Sequence, residues 1–184
     1  MKVGVFLAEG FEEIEAFTVI DVLRRARIDV STVAVSDNFD IQGAHGITVI
    51  TDCIIEEFRF DLYDMLLLPG GMPGTLNLMK STLLTDQIKK FNEKGKWLAA
   101  ICAAPRVLGS LGVLEGKTAT CYPGNEKELK GAELSTENVV ISDNVVTSRG
   151  AGTAMMFALE LVKLIRSEKI AQELKENMLI PHEI

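Results

Sequence analysis

The chain has 184 residues, of which 47% are apolar and 24% charged, and its formal net charge is −7. This length and composition predict one globular domain over residues 1–184 that buries its core without disulfide or metal staples. The negative charge and the lack of a polybasic run argue against binding to nucleic acid or to an anionic membrane surface. No window reaches the ~18 apolar residues of a membrane span, and Glu9 follows the first apolar run too soon for a signal peptide.

The cysteines and histidines are too few and too scattered to predict a metal or a disulfide framework. Cys53, Cys102 and Cys121 follow neither a CxxC pattern nor a regular spacing, so we expect free thiols and a location in the reducing cytoplasm. His45 and His182 stand alone, and we expect no metal site. Neither a Walker sequence nor a GxGxxG loop is present, so we expect no cofactor.

Strand-like and helix-like segments alternate along most of the chain, in the order in which an α/β protein builds its sheet. Continuous apolar strands between helices predict three layers, with a mostly parallel sheet covered on both faces. Ligands of such sheets bind beyond the carboxyl ends of the strands. The predicted elements are strand 3–7, helix 11–26, strand 29–35, hairpin 42–51, strand 65–68, a non-helical loop 69–74, helix 82–94, strand 97–101, a short helix opened by Pro105, strand 118–121, hairpin strands 139–142 and 145–148, helix 153–166 and a shorter helix before Pro181.

The first predicted helix carries a cluster of acids near the edge of its apolar face. From the apolar spacing alone, Glu12 and Glu13 are first-turn acids that compensate the helix dipole, and a solvated Glu15 is the simpler interpretation. This helix starts at the carboxyl edge of the sheet, however, where a partly buried Glu15 would have a raised pKa and could transfer a proton. The apolar residues that define the face recur every third position: Phe11, Ile14, Phe17, Ile20 and Leu23.

Cys102 is the strongest candidate for chemistry. It ends an apolar strand, and Ala103 and Ala104 separate it from Pro105, which suits the first turn of a helix. A thiol on such a turn lies near free backbone N–H groups and the positive end of a helix dipole, and both favour the reactive thiolate. The alternative is an inert core cysteine, since free cysteines are often buried.

Two further loops open at the same predicted edge of the sheet. Gly70 and Gly71 follow the strand 65–68 and allow backbone N–H groups to approach an oxyanion, although a plain tight turn is the alternative. Arg149 follows the last strand, where it could bind a carboxylate or form a surface salt bridge. Tyr122 and its neighbours Cys121 and Pro123 end the strand 118–121 and could line the cleft.

Taken together, these motifs resemble the DJ-1/ThiJ/PfpI superfamily over nearly the whole chain. The resemblance implies a flavodoxin-like sandwich, usually a homodimer, with a nucleophile elbow. By this resemblance Cys102 is the nucleophile, Glu15 is its acid/base partner, and the N–H groups of Gly71 and Ala103 form the oxyanion site. The residues that carry it are Glu15, the run 68–71 (LPGG), the run 100–105 (AICAAP) and the run 148–150 (SRG).

Three positions depart from the pattern of that superfamily. Tyr122 stands where the nearest branch often has a histidine before proline, so the third catalytic group is absent or replaced. His45 stands at the position of an arginine that contacts anions. Ala103 stands where the peptidase branch has a histidine, so peptidase activity is disfavoured.

The resemblance leaves three functional hypotheses open. The first is a cofactor-independent glyoxalase or deglycase that acts on a small aldehyde or dicarbonyl, converting methylglyoxal to lactate. The second is a redox sensor, stress-response protein or chaperone that uses an oxidisable Cys102, with Cys121 as a candidate resolving thiol. The third is a member whose site is vestigial because of Tyr122.

Overall fold

The computed structural model describes residues 1–181, so His182 lies outside the described part, and the predicted α/β fold is confirmed. A mostly parallel sheet lies between two layers of helices. The helices are α1 (Glu13–Arg25), α2 (Gly74–Lys80), α3 (Thr82–Glu93), α4 (Pro105–Ser110), α5 (Ala154–Ile165) and α6 (Glu168–Asn177). The strands are β1 (Lys2–Leu7), β2 (Asp29–Ala34), β3 (Asp40–Gln42), β4 (Thr48–Ile50), β5 (Cys53–Ile54), β6 (Met65–Leu68), β7 (Trp97–Ile101), β8 (Thr118–Ala119), β9 (Glu133–Leu134), β10 (Val139–Ser142) and β11 (Val145–Ser148).

The main sheet has seven strands in the order β10-β11-β7-β6-β1-β2-β5. All neighbours pair in parallel except β10 and β11, which form an antiparallel hairpin at one edge. Because β1, β6 and β7 are central, parallel and apolar, their carboxyl ends meet at one edge of the sheet. The loops that leave them therefore open into a common cleft.

The sheet separates two apolar cores, as the alternation of side chains along β1 shows. Val5 and Leu7 pack with Phe157 of α5 on one face, together with residues of α1. Phe6 packs on the other face with Leu84 of α3 and with residues of α4. This two-sided burial makes the central strands continuous apolar runs, and it fixes the positions of the strand ends.

The structure differs from the predicted elements at several places. The segment 118–121 is not a strand of the main sheet, because only β8 is extended there and it pairs with β9 in a separate two-stranded sheet. The predicted loop 69–74 gives way at Gly74 to α2, a helix that the sequence pattern did not predict. β5 and β9 were not predicted either, because two residues are too few to show a period.

Among residues 1–181, no helix is both long and apolar enough to cross a membrane.

Candidate active site

The backbone at Cys102 makes the sharp turn that the sequence predicted between β7 and α4. Cys102 has φ +65°, a left-handed conformation that residues with a side chain rarely adopt. Its N–H donates to the Ser148 carbonyl at 2.9 Å, and its own carbonyl accepts the N–H of Tyr122 at 2.8 Å. The neighbouring loops thus hold the turn from both sides, and the thiol remains partly exposed.

Glu15 lies in the interior, against the expectation from periodicity. Glu15 is only 1% exposed, and its Oε2 accepts the N–H of Gly70 at 2.8 Å. Burial raises the pKa of Glu15 to about 7, although hydrogen bonds from Cys102 and Gly70 oppose the shift. A carboxyl with this pKa exchanges a proton near neutral pH, as the alternative interpretation required.

The apolar face of α1 is displaced in its first turn, which explains why periodicity misplaced the acids. Ile14 is 56% exposed, whereas Glu13 is 4% exposed. The first turn of α1 covers the edge of the sheet and the β3–β4 hairpin instead of the apolar core. In this turn an apolar side chain is therefore exposed and a carboxylate is buried.

The Cys102 thiol lies within hydrogen-bonding range of the Glu15 carboxyl, and its pKa is raised rather than lowered. Burial is the largest cause, followed by the charge of Glu15 and the hydrogen bond to it. The N–H groups of Ala103 and Gly71 do favour the thiolate, as expected, but they are outweighed. Because two adjacent buried charges repel, the thiolate is favoured only while Glu15 keeps a proton.

Gly70 and Gly71 allow the second loop to reach the thiol. A Cβ at Gly70 would lie 2.7 Å from both Cys102 Cβ and Glu15 Oε2. Gly71 has φ +90°, and a Cβ there would overlap the Glu12 backbone nitrogen. Only glycine therefore brings these N–H groups beside the sulfur, where they could also meet an oxyanion.

Tyr122 forms a wall of the cleft beside Gly150. A Cβ at Gly150 would lie 3.3 Å from the Tyr122 ring and 4.0 Å from Cys102 Sγ. Tyr122, Pro123 and Arg149 line a surface cavity of about 280 Å³ beside the thiol. Arg149 forms no salt bridge to any acid of residues 1–181, so the surface ion pair considered from sequence is not present there.

His45 does not stand alone, which corrects the expectation from sequence. Its Nδ1 lies 2.9 Å from Glu13 Oε2, and its backbone N–H donates to Glu13 Oε1 at 2.7 Å. Candidate ligand atoms of Glu12, Glu13 and His45 lie within 4.8 Å of one another, so this trio could accept a metal ion. Burial acts to raise the pKa of Glu13, but the hydrogen bonds from His45 and Ile47 outweigh it and hold the pKa below its ordinary value. These contacts occupy the carboxylate and tie the hairpin to α1.

Sequence reasoning missed the residues that order the loop after β11. Ser148 Oγ and Thr153 Oγ1 are 2.7 Å apart, and Thr153 Oγ1 also accepts the N–H of Gly150 at 3.1 Å. This network positions the Ser148 carbonyl that holds Cys102. A hydroxyl at the strand end and another five residues later, across a glycine-rich turn, are the signal that could have found it.

The family model of the DJ-1/PfpI family matches residues 1–164. The chain belongs to the DJ-1/PfpI family. It is 38% identical to Protein DJ-1 homolog B of Arabidopsis thaliana over 174 residues, covering 94% of this chain but only 40% of that longer protein. It is 33% identical to the glutathione-independent glyoxalase DJR-1.2 of Caenorhabditis elegans, covering 85% of this chain and 84% of that protein.

The solved structures give the same result for the fold. The structure of oxidized Toxoplasma gondii DJ-1 superposes with a TM-score of 0.93 at 35% sequence identity, and 97% of each chain is covered. The flavodoxin-like architecture implied by the resemblance is therefore confirmed.

Proposed function

We propose that this DJ-1/PfpI protein is a cofactor-independent enzyme that uses Cys102 to convert small dicarbonyls such as methylglyoxal into hydroxy acids. The observation that carries the proposal is the buried Glu15 carboxyl, with a pKa of about 7, beside the Cys102 thiol. The glyoxalase name of the Caenorhabditis elegans relative supports the same reaction class. A deglycase would use the same groups on adducts of dicarbonyls.

The reaction begins when the Cys102 sulfur adds to the aldehyde carbon of the dicarbonyl. Glu15 holds the proton while the thiolate attacks, and it then passes that proton to the new oxyanion to give a hemithioacetal and a Glu15 carboxylate. The N–H groups of Gly71 and Ala103 are placed to stabilise the oxyanion, since both already lie beside the sulfur.

Glu15 then moves one proton between two neighbouring carbons. As a carboxylate it removes the hydrogen from the sulfur-bearing carbon, and as an acid it returns that proton to the former ketone carbon. The hydroxyl proton passes at the same stage from the oxygen of the sulfur-bearing carbon to the former ketone oxygen, and the product is a thioester of the 2-hydroxy acid. Water hydrolyses the thioester, which releases the hydroxy acid and restores the Cys102 thiol. A pKa of about 7 suits a group that must alternate between its two forms.

Methylglyoxal turnover by four proteins tests this proposal. We expect lactate from the wild-type protein, and a loss of at least about a hundredfold in Cys102→Ala and Glu15→Ala. Cys53→Ala is the matched control, because Cys53 lies on β5 at the far edge of the sheet. Equal rates in all four proteins would contradict the proposal. Measuring lactate separates turnover from simple capture of the aldehyde by thiols.

Redox sensing at Cys102 is the second candidate function. The partly exposed sulfur is surrounded by the N–H groups of Gly71 and Ala103 and by Glu15, which can stabilise added oxygens when protonated. The related Toxoplasma gondii protein is described in an oxidized form. After dilute peroxide, mass spectrometry of proteolytic peptides should find oxygen at Cys102 before Cys53 or Cys121. Equal oxidation of the three cysteines would argue against a sensor.

We propose that the protein is a homodimer. We also propose the reducing cytoplasm as its location, because three free cysteines persist as thiols there. Ile14, Ile47 and Ile50 are 56%, 51% and 79% exposed, and Glu13 ties the hairpin that carries the last two to α1. Sedimentation should give a dimer for the wild-type protein and a monomer for Ile50→Asp. Leu179→Asp is the control, because Leu179 is 88% exposed beyond α6. A wild-type monomer would overturn this assembly.

A further inference from the structure

A second cavity of about 210 Å³ lies behind Tyr122 and is lined by neither Cys102 nor Glu15. The residues on its wall that matter here are Thr120, Cys121, Glu126, Ser135 and Arg149. Tyr122 faces the catalytic side and the preceding Cys121 faces this cavity, while Arg149 borders both spaces. We propose that this space, the Arg149 cavity, binds a small monocarboxylate.

Arg149 is the group that would hold the carboxylate. Its guanidinium makes no hydrogen bond or salt bridge to any of residues 1–181, although the chain contains 26 acidic residues. The side chain is only partly exposed, while its backbone N–H is fixed on the Asn138 carbonyl at 3.3 Å. A permanently charged, partly desolvated guanidinium favours a planar carboxylate that accepts two hydrogen bonds.

Thr120 supplies an independent sign of an unfilled polar contact. The residue is 1% exposed, and its Oγ1 has no hydrogen-bond partner among the described residues. Buried hydroxyls nearly always have a partner, because an unsatisfied one costs free energy. Ser135 adds a second hydroxyl: its Oγ accepts the N–H of Glu137 at 3.1 Å, so its proton is free to point at a ligand.

The charges and size of the Arg149 cavity limit the ligand. Glu126 is the one acid on its wall, and its Oε2 accepts the N–H of Gly124 at 2.8 Å instead of pairing with Arg149. A second negative charge on the ligand would therefore face this carboxylate without a cation of its own. The volume is also below the ~300 Å³ at which sites for larger ligands begin. These limits favour a monoanion of two or three carbons.

Binding in the Arg149 cavity does not depend on catalysis, although lactate, the product of the proposed reaction, is itself a small monocarboxylate. We therefore choose protein carrying Cys102→Ala, which lacks the proposed catalytic nucleophile, for the test. Backbone amide NMR shifts would be followed while sodium lactate is added, with lactamide as the uncharged probe of the same shape. Saturable shifts at Thr120, Cys121 and Ser135 are expected with lactate alone.

Two variants of the Arg149 cavity complete the experiment. We expect Arg149→Gln to weaken lactate binding at least about tenfold, because it removes the charge. Thr120→Val keeps the shape of the side chain and should weaken binding several-fold. Should Arg149→Gln fail to fold, Thr120→Val and lactamide decide the matter. Shifts that centre on Gly71 and Ala103, that appear equally with lactamide or that do not saturate would overturn the proposal.

Discussion

Glu15 and Cys102 face each other across Gly70, which has no side chain to fill the space between them. Gly70 also donates its N–H to Glu15 at 2.8 Å. One backbone position thus leaves room for the carboxyl and the thiol to approach each other and also supplies a hydrogen bond to the carboxyl. The ionisation of each group consequently depends on the other.

The first prediction concerns the rate at which Cys102 is alkylated. The charge of Glu15 contributes to the raised pKa of the thiol, so Glu15→Gln should ionise the thiol at lower pH. We expect iodoacetamide to label Cys102 about tenfold faster at pH 8 in this variant, measured by mass spectrometry. Asp21→Asn should label at the wild-type rate, since Asp21 is an exposed acid of the same helix that pairs with Arg25. Slower labelling of Glu15→Gln would refute the assigned coupling.

The second prediction concerns stability and pH. Burial raises the pKa of Glu15 from 4.5 to about 7, so the folded protein binds a proton that the unfolded chain has already released between these pH values. This contribution to stability is complete below pH 4.5 and is lost as the pH rises through about 7. Relative to Glu15→Gln, the wild-type free energy of unfolding should fall by about 3 kcal/mol between pH 4 and pH 8. Urea unfolding at both pH values measures the difference, and parallel behaviour of the two proteins would exclude a raised pKa.

The third prediction concerns space at Gly70. In Gly70→Ala the new methyl group would overlap Cys102, Glu15 and the backbone nitrogen of Ala103, so the loop must move. We expect a loss of about 1–3 kcal/mol in stability and a changed Cys102 alkylation rate. Gly152→Ala is the matched control, because a Cβ there meets no atom within 4 Å. Equal stability of the two variants would mean that the contact is not tight.

The fourth prediction concerns Tyr122 as a wall over the thiol. The ring atoms Cδ2 and Cε2 lie nearest to the Gly150 side of the cleft, so the ring, and not its hydroxyl, limits access. Tyr122→Ala should raise the Cys102 alkylation rate several-fold, whereas Tyr122→Phe should leave it unchanged. An equal effect of the two variants would instead assign the control to the hydroxyl.

The central strands and the elbow could be predicted because their signals are local. The run 97–101 is apolar without interruption, and Pro105 marks the start of α4, so the turn at Cys102 follows from neighbouring residues. Parallel strands then bring their carboxyl ends to one edge. The order of the predicted strands was therefore sufficient to predict that Cys102, Gly70 and Arg149 lie in one region of the fold.

The ionisation of the site could not be predicted, because it depends on contacts between distant segments. Glu15 and Gly70 are 55 positions apart in the sequence, so neither their hydrogen bond nor the burial of Glu15 can be read from neighbouring residues. Glu13 illustrates the same limit, since its partner His45 comes from a hairpin 32 positions away. Periodicity of α1 assigns these carboxylates to solvent. Packing of the hairpin and of the loop after β6 places them in the interior.

The left-handed backbone of Cys102 has a consequence for laboratory evolution. Glycine adopts φ +65° without the cost that a β-carbon brings, and asparagine and aspartate tolerate it better than most residues. Selection of random variants for heat resistance alone should therefore enrich Cys102→Gly and discard the thiol. Only a screen that also demands chemistry would retain it, and the frequency of cysteine at this position would then measure how strongly that chemistry is required.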